Sequence, residues 1–355
     1  MQTDLAHLGW DAALEDAFRT TSTTTTDPLV PGRVVVAHRG GWLVRTADGE
    51  LRTEATGTLR RSAEGALDLP AVGDWVAVRP RPGGDGLVVA VLPRRTALVR
   101  RRPGRATEEQ VLAANVDVAF CCVAAPDGPR NARRLERYLT LAWDAGTTPV
   151  AVLTKADLVD DPDAAVAELG AAVAGIDVVV TSSMTGLGLA DLRERLGPGR
   201  TGVLLGPSGV GKSSTANRLL EDEHLAVGAV RATDGRGRHT TSHRELTELP
   251  GGGLLVDTPG LREVGLWDGD ATDATFADVT ELAAACRFAD CRHEGEPGCT
   301  VTAAVAAGTL DSARFEAFAK LRREQEWLER RKDARATADH RRKVRAVERQ
   351  RRRDR

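Results

Sequence analysis

The sequence predicts a multidomain α/β protein, with a small β-barrel, then a doubly wound parallel sheet, then a helical C-terminal unit. Short runs rich in Val, Leu and Thr, separated by Gly, Pro and Asp, fill residues 32–92, which is typical of hairpins. Apolar runs alternate with helical stretches between 116 and 256, which indicates a parallel sheet. After residue 266, a cysteine cluster precedes a long charged helix.

Composition places the chain among soluble globular proteins. Its 355 residues are 41% hydrophobic and 28% charged, which are ordinary values for that class. We find neither a signal peptide nor an apolar run long enough to span a bilayer. We therefore expect a cytoplasmic protein without membrane contacts, and a monomer.

The two chain ends are expected to lie outside the folded domains. Residues 1–29 include a Thr-rich run without a core-forming pattern and predict a flexible arm. Residues 330–355 carry 13 Lys/Arg against 4 Asp/Glu, a balance of +9 in a chain of net charge −2. A basic tail on an acidic body is typical of proteins that touch nucleic acid. A solvated helix end without a specific role is the alternative.

Predicted strands define both β-rich regions. The barrel has five, at 33–38, 42–45, 51–59, 74–78 and 87–91. They suit an oligonucleotide-binding barrel (OB-fold), although periodicity leaves an SH3-like barrel open. The parallel sheet has strands at 116–123, 149–153, 178–181, 201–205 and 254–256, and helices at 130–145, 191–196 and 212–220. Such sheets bind ligands at the carboxyl ends of their strands.

One such strand end carries a phosphate-binding loop, Gly206-Pro207-Ser208-Gly209-Val210-Gly211-Lys212-Ser213. It lies between a predicted strand and a helix that continues through Ser214, which is the context that the motif requires. Glycines let backbone N–H groups face phosphate oxygens, and the helix N-terminus adds positive potential. Lys212 is expected to reach the β and γ phosphates, and the Ser213 hydroxyl to bind Mg²⁺. A chance Gly-rich turn is the alternative.

Two further strand ends predict a guanine site. Thr154-Lys155-Ala156-Asp157 follows one strand, and the Asp157 carboxylate can accept hydrogen bonds from guanine N1–H and its amine, a donor pair that adenine lacks. Lys155 would lie along the base, and Ser182 and Ser183 follow the next strand. Thr154 stands where Asn is usual and is expected to tether the phosphate loop more weakly. A Lys-x-Asp is also common in ordinary loops.

Two segments have the character of switches. Asp257-Thr258-Pro259-Gly260 follows the last strand, with Asp257 a candidate for the outer Mg²⁺ shell and Gly260 N–H for the γ phosphate. Leu261 stands where many GTPases have a water-orienting glutamine. The polar loop 234–242 contains Thr241, our first candidate for the Mg²⁺ ligand, with Thr240 second. His239 is the candidate to replace the glutamine, and a surface histidine is the alternative.

Motif order and a cysteine cluster complete the pattern. The base-reading motifs precede the phosphate loop, the reverse of the usual order, which indicates a circular permutation. Cys286, Cys291, His293 and Cys299 could form one closed, structural Zn²⁺ site, with free buried thiols as the alternative. Cys121 and Cys122 lie in an apolar strand and are interpreted as core residues.

On these residues the chain resembles the RsgA/YjeQ family of circularly permuted GTPases. The resemblance covers about residues 32–325 and includes Pro70-Ala71-Val72-Gly73-Asp74-Trp75-Val76, Ala113-Ala114-Asn115-Val116-Asp117 and Gly235-Arg236-Gly237-Arg238-His239-Thr240-Thr241. It implies an OB-fold domain (30–95), a circularly permuted P-loop GTPase domain (96–268), a zinc-binding domain (269–330) and a basic tail (331–355).

The resemblance also implies a function. Family members bind the small ribosomal subunit and its rRNA in late maturation, and the particle stimulates their GTP hydrolysis, which promotes release. They use the histidine before the switch threonines in hydrolysis, which favours His239. Two other classes of protein remain possible. A P-loop kinase or ATPase would leave Asp157 and the cysteine cluster unexplained, and an RNA-binding module with a degenerate nucleotide site would not need intact Lys212, Ser213 and Asp257.

Overall fold

The computed structural model describes residues 5–23, 27–38, 40–81, 83–101, 109–128, 130–221, 244–257, 275–288, 291–312, 314–319 and 322–323. The chain divides into two compact units, 1–265 and 266–355, each of which is described by itself below. Within the described residues, no helix has both the length and the apolar character needed to cross a membrane.

The N-terminal segment is ordered and packed, in contrast to the predicted flexible arm. A 3-10 turn, Ala6–Leu8, precedes helix α1, Ala12–Ser22, whose N-cap Asp11 accepts a hydrogen bond from Leu14 N–H. The side chains of Leu5 and Leu8 are fully buried. The prediction of a flexible arm was wrong for residues 5–23, because these scattered leucines have no periodicity but fill space in the first unit.

A closed five-stranded barrel follows, as predicted. Its strands are β1 Val30–His38, β2 Gly41–Thr46, β3 Gly49–Ala55, β4 Trp75–Arg79 and β5 Gly86–Val91. They pair in the order β1-β2-β3-β5-β4, and β4 closes the barrel on β1. The inward valines of these strands form one apolar cluster. The OB-type prediction is confirmed over the SH3-like alternative.

Two local features of the barrel region differ from the predicted strands. The third strand ends at Ala55, and helix α2, Gly57–Ser62, replaces the rest of the predicted strand 51–59. The Thr56 hydroxyl caps this helix by accepting the Leu59 N–H. Strands β6, Ala97–Arg101, and β7, Glu109–Ala114, form a separate two-stranded sheet that the sequence pattern did not indicate.

The doubly wound sheet is confirmed. Its strands are β8 Val118–Ala124, β9 Thr148–Thr154, β10 Val178–Val180, β11 Thr201–Leu205, β12 Arg244–Glu248 and β13 Leu254–Asp257. The order is β10-β9-β8-β11-β13-β12, parallel except for β12. Cys121 and Cys122 are fully buried in β8, which confirms them as core residues. Burial raises the pKa of Cys122 to about 12, so this thiol stays protonated at neutral pH.

Helices and short 3-10 turns connect these strands. The helices are α3 Arg130–Asp144, α4 Pro162–Ala167, α5 Leu189–Arg195 and α6 Lys212–Leu220. The 3-10 turns after α1 are Ala66–Asp68, Ala125–Asp127, Ala156–Leu158 and Gly170–Val173. Apolar residues of α5, α6 and the strands share one core.

A buried arginine joins the barrel to the parallel sheet. Arg33 of β1 is 2% exposed. Its donors reach three backbone carbonyls and one hydroxyl, those of Leu8, Gly73, Asn115 and Thr201. Burial lowers the pKa of its guanidinium to about 10, against the opposing effect of Asp117 and Asp74, so it stays charged at neutral pH. The Gly73 and Asn115 motifs therefore meet at this joint.

The second unit is a small helical domain. Helix α7 is Ala277–Ala284 and helix α8 is Thr300–Ala306. Phe276 and Phe318 pack with ring centroids 5.6 Å apart. The Arg314 guanidinium donates to both carboxylate oxygens of Asp278, at 2.6 and 2.7 Å. This core is small, which makes the polar cluster described below important for the domain.

Candidate functional site

The phosphate loop connects β11 to α6 with the backbone that its glycines permit. Gly206, Gly209 and Gly211 have φ of +146°, +79° and +108°, values that L-residues rarely adopt. A Cβ at Gly206 would lie 2.5 Å from the carbonyl oxygen of Cys122. Glycine is therefore required at 206 for steric as well as conformational reasons. Ser208 and Gly209, in the middle of the loop, are exposed.

Lys212 places its charge inside this loop. Its Nζ donates to the carbonyl oxygens of Gly206, at 2.6 Å, and Pro207, at 2.7 Å. Lys212 is also the first residue of α6, and exposed Ser213 follows it. An ammonium beside a helix N-terminus produces a strongly positive local potential. The loop can therefore bind an anionic phosphate group.

Thr154 connects the predicted base-reading motif to the phosphate loop. Its side chain is buried at the end of β9. Its hydroxyl lies 2.5 Å from the Val210 carbonyl oxygen and 3.1 Å from that of Val123. The tether that the sequence predicts to be weak is thus made by one hydroxyl shared between two carbonyls.

The next residues belong to the predicted base-reading motif. Lys155 has a left-handed backbone, with φ of +57°, and the carboxylate of Asp157 is exposed. The Ser182 hydroxyl donates to Asp157 Oδ1 at 2.5 Å. The same hydroxyl accepts the N–H groups of Met184 and Thr185, both at 3.2 Å. Ser182 therefore fixes the carboxylate in a position where it can accept hydrogen bonds from a ligand.

The loop after β10 also contacts the phosphate-loop helix. Ser183 Oγ lies 3.3 Å from Thr215 Oγ1 of α6. A Cβ at Gly188 would lie 2.1 Å from the Val180 carbonyl oxygen, so glycine is required where this loop enters α5. Sequence reasoning missed Thr215 and Gly188. A polar residue on the buried face of α6 was the available signal for Thr215.

These contacts bring three loops together at the carboxyl end of the parallel sheet. The loops follow strands β9, β10 and β11, with β8 between β9 and β11. Asp257 ends β13, the neighbour of β11, but only its backbone is described. Gly260, Leu261 and the loop 234–242, with His239, Thr240 and Thr241, lie outside the described residues.

The second unit holds the predicted metal ligands in a compact group. The ligand atoms of Cys286, Cys291, His293 and Cys299 all lie within 4.8 Å of one another. Cys286 Sγ lies 3.9 Å from Cys299 Sγ and 3.6 Å from His293 Nδ1, and the Cys299–His293 distance is 3.4 Å. Zinc bond lengths imply tetrahedral edges of about 3.8 Å for S···S and about 3.6 Å for S···N. The cluster is therefore compatible with one zinc ion.

The protonation states of Cys286 and His293 suit a cation, whereas burial raises the pKa of Cys291 to about 11. Burial raises the pKa of Cys286, but hydrogen bonds from Thr300 and Val301 outweigh it and lower that pKa to about 7. Burial and the charge of Arg322 lower the pKa of His293, which favours the neutral imidazole that binds metals. The Thr302 N–H also donates to Cys299 Sγ at 3.4 Å, a contact of the kind that orients metal ligands.

Comparison with known proteins is consistent with this site. The family model described as RsgA GTPase matches residues 91–267. A Streptomyces coelicolor protein named small ribosomal subunit biogenesis GTPase RsgA is 46% identical over 94% of this chain and 90% of its own. One from Opitutus terrae with the same name is 45% identical over 96% of this chain and 95% of its own.

Two solved structures are similar over most of the chain. YjeQ from Thermotoga maritima has a TM-score of 0.62 and 28% identity, and the match covers 84% of this chain and 99% of that one. YloQ, described as a circularly permuted GTPase, has a TM-score of 0.60 and 25% identity, with coverage of 84% and 96%.

Proposed function

The chain belongs to the RsgA family of GTPases, and we propose that it binds the small ribosomal subunit late in its maturation and leaves after particle-stimulated GTP hydrolysis. The main support for this proposal is that the nucleotide site is assembled from motifs in a permuted order. Thr154, from a strand that precedes the phosphate loop in the chain, contacts Val210 within that loop. The order of the motifs and this contact support a permuted GTPase over a metabolic kinase or ATPase.

We assign roles to the residues of the site as follows. Lys212 shifts from the loop carbonyls to the β and γ phosphates, and the loop N–H groups, together with Ser214 on α6, orient those phosphates. Asp157 accepts the guanine N1–H and amine, while Lys155 lies along the base. Ser213 and Thr241 would hold the Mg²⁺ that accompanies GTP, which would supply positive charge to the phosphates. Asp257 and Gly260 would contact the outer Mg²⁺ shell and the γ phosphate.

Hydrolysis requires a group that orients water. We propose His239 for this role, because Leu261 cannot accept or donate a hydrogen bond through its side chain. The proposed stimulation follows if the particle positions the segment that carries His239. Cys286, Cys291, His293 and Cys299 would hold one structural Zn²⁺, and the basic tail 331–355 would add phosphate contacts to rRNA. We propose a cytoplasmic monomer.

The proposed function is tested by measuring GTP hydrolysis with and without purified small ribosomal subunits. We expect clear stimulation by the particle and none by the large subunit. Lys212→Ala should abolish the stimulated turnover, because the phosphates lose their principal cation. Persistence of stimulated turnover in Lys212→Ala, or tighter binding of ADP than of GDP, would overturn the assignment.

A further inference from the structure

Strand β1 belongs to both the barrel and the parallel sheet. Its first half closes the barrel by pairing with β4, with Val30 opposite Val78 and Arg33 opposite Trp75. Its second half pairs instead with β12, with Val36 opposite Glu245. The pairing with β2 shifts register between Val34 and Val36. Such a bulge bends a strand and redirects it, so β1 changes partner at this point.

The second half of β1 lies close to the nucleotide edge of the sheet. Glu245 is opposite Val36 on one side and Asp257 on the other. The three residues therefore form one row across β1, β12 and β13. Neighbouring strands lie about 4.8 Å apart, so the backbone of Val36 is about 10 Å from that of Asp257. Ala37 is opposite Arg244, which lies two residues after the polar loop 234–242 that the sequence identifies as a switch.

Side-chain contacts hold the barrel against the GTPase sheet near Arg33, in the first half of β1. Arg33 Nη2 donates to Thr201 Oγ1 at 2.8 Å, at the start of the strand that leads into the phosphate loop. Arg45 of β2, which lies opposite Arg33, forms ion pairs with Glu248 of β12, at 2.5 Å, and with Glu50, at 2.7 Å. These contacts oppose sliding of β12 along the barrel.

We infer that β1 couples the nucleotide state of the GTPase sheet to the barrel. A shift of β12 that accompanies nucleotide exchange must move the second half of β1 or break its hydrogen bonds. Because coupling of binding equilibria is reciprocal, a ligand that fixes β1 changes nucleotide affinity by the same factor. This inference rests on the GTPase activity and not on the proposed ribosomal role, so it is tested without the particle.

The test is hydrogen exchange of the full chain, saturated with Mg²⁺ and either GDP or a non-hydrolysable GTP analogue. We expect amides of residues 34–38 to exchange at least about fivefold more slowly with the GTP analogue, a factor within the usual range of coupling. Strand β3, which pairs with β2 and β5 and not with β12, is the internal control, because general stabilisation by ligand would slow its exchange as well. Equal responses of 34–38 and β3 would overturn the inference.

A matched pair of variants tests the contact itself. Arg45→Ala removes both ion pairs, while Arg52→Ala removes an exposed arginine of β3. With the GTP analogue against GDP, the difference in the exchange rate of amides 34–38 should fall to about half or less in Arg45→Ala. The same difference should persist in Arg52→Ala. In both variants the affinity for GDP should stay within about twofold of the wild type, because only the coupling between the sites changes. An identical response of the two variants would count against β1 as the coupling element.

Discussion

At the scale of single residues, Thr154 shows how one hydroxyl can replace a longer side chain. The sequence predicts a weaker tether because Thr has one donor where Asn has two. The structure places this donor between the carbonyl oxygens of Val210 and Val123, in a buried position that excludes water. The single hydroxyl hydrogen can be donated to either carbonyl, and its removal takes a buried hydrogen bond from the tether.

Replacement of this hydroxyl by a methyl group tests its role. Thr154→Val should lower the free energy of unfolding by about 1–3 kcal/mol, the cost of leaving a buried polar group unpaired. GDP should also bind about tenfold more weakly, since 1.4 kcal/mol corresponds to a factor of ten. Urea unfolding and GDP titration measure the two effects. Thr154→Ser keeps the hydroxyl and should retain most of both quantities. Equal losses in Ser and Val would show that the methyl group contributes as much as the hydroxyl, against a special role for the hydrogen bond.

At the scale of elements, the N-terminal segment behaves as part of the fold. The ring of Trp10 packs edge-on against Trp75 at 4.8 Å between centroids. The Leu8 carbonyl accepts a hydrogen bond from buried Arg33. This segment therefore covers one side of the joint between the barrel and the parallel sheet, and its removal would expose a buried charge.

Truncation of one leucine tests this packing. Leu8→Ala should lower the free energy of unfolding by about 2–5 kcal/mol, the usual cost of a Leu→Ala cavity in a core. Leu158→Ala is the matched control, because Leu8 is 0% exposed and Leu158 is 63% exposed. The control should change stability by less than about 0.5 kcal/mol. If both variants unfold at the wild-type urea concentration, the segment is not part of the cooperative core.

At the scale of the whole molecule, the two units differ in what stabilises them. The first unit, 1–265, contains the large apolar clusters of the sheet and the barrel. The second unit, 266–355, has few buried apolar residues among those described. A bound zinc ion would therefore supply much of its stability, since structural zinc contributes about 10–16 kcal/mol in zinc-finger peptides.

Removal of zinc should therefore unfold the second unit alone. Treatment with a zinc-selective chelator in excess Mg²⁺ should make residues 275–319 susceptible to limited proteolysis, while GDP still binds to the first unit. Cys291→Ser should have the same effect without chelator, and a colorimetric assay should find much less zinc in the purified variant than in the wild type. Undiminished protease resistance after confirmed zinc removal would contradict a structural role for the metal.

The candidate site was largely predictable because its chemistry is local in sequence. The phosphate loop occupies eight consecutive residues, and the metal ligands lie within 14. Short-range patterns of this kind indicate both the residue type and the backbone conformation that the site requires. The structure confirmed the fold class, while the catalytic roles of His239 and Thr241, the domain boundaries and the predicted basic tail stay predictions.

The joint between the barrel and the parallel sheet was not predictable, because its partners are far apart in sequence. Arg33 and Thr201 are separated by 168 positions, and β1 pairs with β12 across an even longer interval. No local pattern records such a contact, because the hydrogen bonds that offset the cost of burying the Arg33 charge come from carbonyls on several separate segments. The residues of the nucleotide site are thus encoded in short motifs, whereas the connection of that site to the barrel exists only after the chain has packed.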